Sequence, residues 1–76
     1  MELFHLIGDA DSAAARRRVT ELGLIDALTF RNLDSENNRA AFDALGGSRI
    51  PALYDGTQLH QGKDAVLAAL ERLNRA

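Results

Sequence analysis

The feature that most constrains this chain is an absence: its 76 residues include no cysteine. A chain this short is near the lower limit at which one hydrophobic core holds a fold unaided by metals or disulfides. Without thiols, disulfides, thiolate nucleophiles and thiolate metal sites are all excluded, and no redox chemistry can run through a thiol of this chain. His5 and His60 lie far apart in sequence, so no transition-metal site is expected. The fold must rest on apolar side chains repeated at helix and strand periods. A hydrophobic fraction of 46% with 26% charged residues is that of an ordinary globular domain. One domain spanning 1–76 is expected, as a monomer or weak dimer.

Charge and hydropathy narrow the partners. A formal charge of −2 does not supply the broad cationic face that nucleic acid or an anionic membrane surface requires. Every apolar run falls short of the roughly 20 residues of a membrane span. The N-terminus lacks the basic region and long apolar segment of a signal peptide, so cytoplasmic localisation is expected.

Along the chain, strands and helices alternate. "ELFHLI" (2–7) is apolar on both faces apart from His5, as in a strand buried within a sheet, and Gly8-Asp9 ends it. From Ser12 to Leu22 the residues Ala15, Val19 and Leu22 recur at helical spacing, with Gly23 as a stop. "IDALTFRNL" (25–33) alternates like a strand with one wetter face, parallel to the first. A second helix over 35–45, capped by Asp34 or Ser35, carries Ala41, Phe42 and Leu45 on one side and stops at Gly46-Gly47. Two antiparallel strands, 51–54 and 57–60, are expected to meet in a tight turn at Asp55-Gly56. The closing helix, 63–74, places Val66, Ala69, Leu70 and Leu73 on one stripe. The order is β-α-β-α-β-β-α, an α/β architecture.

This order, with "IPALYDG" opening the hairpin and "QGKDAVLAAL" opening the last helix, resembles the thioredoxin fold in its minimal glutaredoxin form. It is also similar to the N-terminal domain of glutathione S-transferases. The resemblance covers nearly the whole chain. It implies a four-stranded mixed sheet in spatial order 2-1-3-4, with the first and third helices on one face and the second on the other. It also implies a cis peptide bond at Ile50-Pro51, with the Ile50 backbone placed to pair with a bound thiol peptide.

By the same resemblance, Asp9 and Ser12 stand where the two cysteines of a Cys-x-x-Cys motif would be. No catalytic residue is therefore assigned. In the family a helix N-terminus stabilises a thiolate at the first position. Here Asp9 puts a carboxylate there, and Asp9 with Ser12 reads first as a helix cap, with Asp11 as a competing cap. The family's γ-glutamyl turn, Gly-Gly-x-Asp, falls on Gln61, Gly62, Lys63 and Asp64. Gly62 and Asp64 match; Gln61 departs from glycine. Lys63 would approach a ligand carboxylate or stay solvated. Asp64 would meet a ligand amine or serve as a helix N-terminal acid. Arg49 would stand at the rim of the same groove.

The function implied is that of a redox-inactive glutaredoxin-like domain. It would bind a peptide, a thiol compound or a protein partner beside Pro51 through Arg49, Ile50, Pro51, Gly62, Lys63 and Asp64. No cofactor is expected, and glutathione is the candidate ligand. The alternative is a glutathione-dependent transferase-like or oxidoreductase-related protein in which the Ser12 hydroxyl bonds a glutathione sulfur. A carboxylate at Asp9 would work against that chemistry by raising the thiol pKa. Arg16, Arg17 and Arg18 sweep around the helix and read as a solvated face. His5 reads as a core or half-buried histidine, His60 as exposed, and Tyr54 and Phe30 as core or face residues.

Overall fold

The structure is a computed structural model describing residues 1–75, so Ala76 lies outside the described residues. Strand β1 (Glu2–His5) leads to helix α1 (Ala10–Glu21), a single 3₁₀ turn (Ile25–Ala27), strand β2 (Thr29–Asn32) and helix α2 (Glu36–Ala44). Strands β3 (Ala52–Tyr54) and β4 (Leu59–Gln61) follow, then helix α3 (Lys63–Arg75). The sheet runs β2-β1-β3-β4. β1 is parallel to β2, with Leu3 beside Phe30, and antiparallel to β3, with Leu3 beside Leu53. β3 and β4 are antiparallel, with Leu53 beside His60. Among the described residues no helix is long and apolar enough to cross a membrane.

Alternation along β1 splits the core between the two faces of the sheet. Leu3 points to one side, where it packs with Ala15 and Val19 of α1, Leu53 of β3, and Val66, Ala69 and Leu70 of α3. Phe4 points to the other, against Leu33, Ala52 and Phe42 of α2. The Phe4 and Phe42 rings meet tilted, with centroids 5.3 Å apart. The first and third helices thus share one face and the second covers the other. The peptide bond before Pro51 is cis.

Several boundaries differ from those expected, for local reasons. β1 stops at His5 rather than residue 7 because Leu6 leaves the ladder: its N–H donates to Ser12 Oγ at 3.3 Å and its carbonyl accepts from Asp9 N at 3.2 Å. α1 begins two residues earlier than Ser12, since Asp9 occupies the N-cap and its Oδ2 accepts from Ser12 N at 2.8 Å. The Asp9–Asp11 choice is thereby settled for Asp9. β2 is confined to 29–32 because residues 25–27 are drawn into the 3₁₀ turn, with Ala27 N bonded to Leu24 O at 2.9 Å. Ser35 holds the N-cap position of α2 but makes no side-chain cap bond.

The hairpin also departs from the tight two-residue turn. Tyr54 pairs with Leu59, leaving residues 55–58 as the connection. Asp55 organises this longer loop, its Oδ1 accepting from Thr57 N at 2.8 Å and Gln58 N at 2.9 Å. An aspartate that can satisfy two backbone donors makes a four-residue loop as well closed as a two-residue one.

Candidate functional site

A cleft of about 380 Å³ opens where the N-termini of α1 and α3 approach the loop before β3. α3 supplies Lys63, Asp64 and Ala65, and Gly62 directly precedes it; Gln61 comes from the end of β4, Arg49 from the 46–50 loop and Asp11 from the first turn of α1. Four residues anticipated from the sequence, Arg49, Gly62, Lys63 and Asp64, are therefore brought together.

Backbone geometry makes the floor. Gly62 has φ +90°, a conformation that disfavours side chains. Its N–H donates to Pro51 O at 2.8 Å, tying the start of α3 to the start of β3. A Cβ there would lie 3.0 Å from Arg49 Nη2, so the guanidinium packs over the bare glycine. The first α3 amide bonded to backbone is Val66 N, which reaches Gly62 O at 3.0 Å. The preceding amides of the helix have no intrahelical acceptor and face the cleft end of the macrodipole.

Gln61, identified from sequence only as a departure from glycine, has a defined task. Its Oε1 accepts from Ser48 N at 2.8 Å and Arg49 N at 2.9 Å, pinning the loop that carries Arg49. A glycine could not do this. The available signal was a polar side chain at the end of β4 facing a loop whose amides had no strand partner. Asp11, which reads from the sequence first as a competing cap, instead lines the cleft together with Arg49 and Lys63. The lining thus mixes two cations with two carboxylates, Asp11 and Asp64. Among the described residues, neither Arg49 nor Lys63 is ion-paired.

The other anticipated residues stand apart. Ile50 packs partly buried against the α2-side core and Pro51 is buried, so neither side chain lines the cleft. No backbone–backbone bond engages Ile50 among the described residues. Asp9 and Ser12 are occupied with each other and with Leu6. Ser12 is 0% exposed.

The arginines of α1 are not a uniform solvated face. Arg16 turns back over the β1–α1 loop: its Nη1 lies 2.9 Å from His5 Nδ1 and donates to Leu6 O at 3.1 Å. Arg18 reaches across to Glu71 of α3 and Glu21 of its own helix. Arg17 alone of the three is exposed. His5, 4% exposed, meets the Phe30 ring edge-on at 5.6 Å. Burial, and then the Arg16 charge, hold its pKa below the ordinary 6.5. His60 is not exposed as expected: its side chain is 12% accessible and its Nε2 lies 2.8 Å from Asp55 Oδ2. The two backbone bonds to Asp55, with the His60 contact, push that carboxyl well below the usual range.

Comparison of the chain with known protein families, with curated proteins and with solved structures found no match.

Proposed function

We propose that this chain is a redox-inactive glutaredoxin-like domain that binds a peptidic ligand, through its carboxylate, in the cleft between Arg49 and the N-terminus of α3. One observation carries the reading: two cations without an ion pair among the described residues, Arg49 and Lys63, line a cleft of about 380 Å³ at a helix start. Amide donors and a helix dipole favour an anion at such a place. Asp64 and Asp11 would receive a ligand ammonium. The strand order β2-β1-β3-β4 supports the fold assignment, as does the division of the helices between the two faces of the sheet.

The transferase-like alternative fares less well. Its hydroxyl belongs to Ser12, which is 0% exposed and already accepts from Leu6 N. A buried, engaged oxygen is poorly placed to meet a thiol sulfur. The chain also lacks the cysteine that thiol–disulfide exchange needs.

Glutathione and S-methylglutathione serve as minimal probes in an amide-shift titration. The expected result is saturable shifts at Arg49, Gly62, Lys63 and Asp64, with Ser12 unmoved, and at least a tenfold weaker response in Arg49→Ala, on the order of one charge-assisted contact. Both probes should bind alike, since the thiol takes no part. Silence of all four amides at millimolar probe would refute the reading, and shifts centred on Ser12 would favour the transferase.

A further inference from the structure

Outside the cleft, the loop joining β1 to α1 is held by a polar network that the proposed binding function does not use. Arg16 is its centre. One guanidinium nitrogen, Nη1, lies 2.9 Å from His5 Nδ1 and 3.1 Å from Leu6 O, while Nη2 donates to Ile7 O at 3.4 Å. Leu6 O also accepts from Asp9 N at 3.2 Å, and Leu6 N is held by Ser12 Oγ. The loop therefore depends on a guanidinium that reaches back two turns, and the guanidinium depends on a bare ring nitrogen.

That dependence fixes the histidine's chemistry. An arginine side chain offers only donors and does not give up its proton in a protein. Nδ1 must accept, which makes His5 neutral with its proton on Nε2. Protonation at Nδ1 would set a donor against a donor and a second positive charge against the first, at a residue 4% exposed. Among the described residues no carboxylate contacts the ring to offset this. From β2 the ring meets Phe30 and, in register, Asn32. On the same side of the sheet β3 and α3 contribute Leu53, Val66, Ala69 and Leu70. Glu2, on β1 itself, pairs with Arg31. Of the α1 carboxylates, Asp9 is engaged at Ser12 N and Asp11 lines the cleft.

We propose that the His5–Arg16 contact is an acid-sensitive latch, which holds the β1–α1 loop closed while the ring is neutral and releases it when Nδ1 takes a proton. Release frees the carbonyls of Leu6 and Ile7 and loosens the segment that carries the Asp9 cap. Opening draws on a proton that the closed state does not hold, so it is linked to pH. Alternative tautomers would not behave this way: a ring protonated on Nδ1 at neutral pH could not accept from Arg16.

Ring ¹⁵N shifts and amide exchange on the intact chain test the latch, with exchange expressed as protection factors so that the intrinsic pH dependence is removed. At neutral pH the ring signals should be those of the Nε2–H tautomer. On acidification below the ordinary histidine range, protection of the Leu6, Asp9 and Ser12 amides should fall by up to about tenfold per pH unit and stay below that of Leu53 and Val66, which exchange only through global unfolding. In His5→Asn, whose amide oxygen can accept but does not titrate, the three loop amides should keep their protection. In Arg16→Met they should be weakly protected at every pH, which keeps the proposal testable if His5→Asn does not fold. An Nδ1–H tautomer at neutral pH, or loop protection independent of acid in the unmodified chain, would overturn the latch. So would an identical acid response in His5→Asn.

Discussion

At the head of α1 one serine closes two circuits. Its amide donates to Asp9 Oδ2 at 2.8 Å, and its hydroxyl accepts from Leu6 N at 3.3 Å, so the cap and the end of β1 meet in a single side chain. The two partners differ in what their loss exposes. Without the Asp9 carboxylate, the first amides of α1 turn to water, because Asp9 is only half-buried; an N-cap lost in this way costs about 1 kcal/mol. Without the Ser12 hydroxyl, Leu6 N–H faces a site where the serine side chain was 0% exposed, and water cannot readily replace it. A donor stranded there costs about 1–3 kcal/mol. Ser12→Ala is therefore expected to destabilise the chain more than Asp9→Ala, as read from urea midpoints at constant m-value. The reverse order would mean that the Leu6 amide finds another acceptor.

The elements were legible because each carries its own signal: Val66, Ala69 and Leu70 at helical spacing are the residues α3 buries, and Gly23 stops α1 at φ +68°. Their ends were less so. Periodicity cannot see that Leu6 leaves its strand for a serine six residues on, or that Asp55 closes a longer loop than its glycine neighbour suggests. In the cleft, Arg49, Gly62, Lys63 and Asp64 were anticipated by resemblance, whereas Gln61 and Asp11 act through contacts between segments distant in sequence. Gly47 is a similar case: its place after the second helix marks a stop but not what its backbone packs against. Its backbone approaches the Phe42 ring so closely that a Cβ would stand 2.4 Å from Cδ1, and Gly47 N bonds Phe42 O at 2.9 Å. Phe42 is also packed by Phe4 on its other contact, so the ring has little room to yield. Gly47→Ala should cost about 1–3 kcal/mol as an overpacked core position. Gly8→Ala, where a Cβ meets nothing within 4 Å, is the control and should change thermal stability little. Equal midpoints for the two variants would show that the Phe42 side of the sheet is loosely packed.

Over the whole molecule, stability is divided between the two faces of one small sheet, and acid acts on both ends of it. His5 sits on the α1 side of β1 and Asp55 in the loop joining β3 to β4. The fold keeps His5 neutral, through burial and the Arg16 charge, so its pKa lies below 6.5 when folded. Unfolded, the ring takes a proton nearer 6.5, so the unfolded chain binds more protons as pH falls through that value. The stability His5 contributes is thus present above the unfolded pKa and is lost as pH descends toward the folded one. Asp55 follows the same sign in a lower window. Two backbone donors and His60 depress its carboxyl, so its contribution is complete above the ordinary 3.8 and disappears below it. Urea midpoints should therefore be flat above about pH 7.5, fall as pH drops below about 6.5, and fall again below about pH 4. His5→Asn should flatten the upper step and leave the lower one, and Asp55→Asn should do the opposite. A chain whose midpoint does not change from about pH 7.5 to 5 would show that His5 titrates alike folded and unfolded. That result would remove burial and the Arg16 charge as determinants of its protonation.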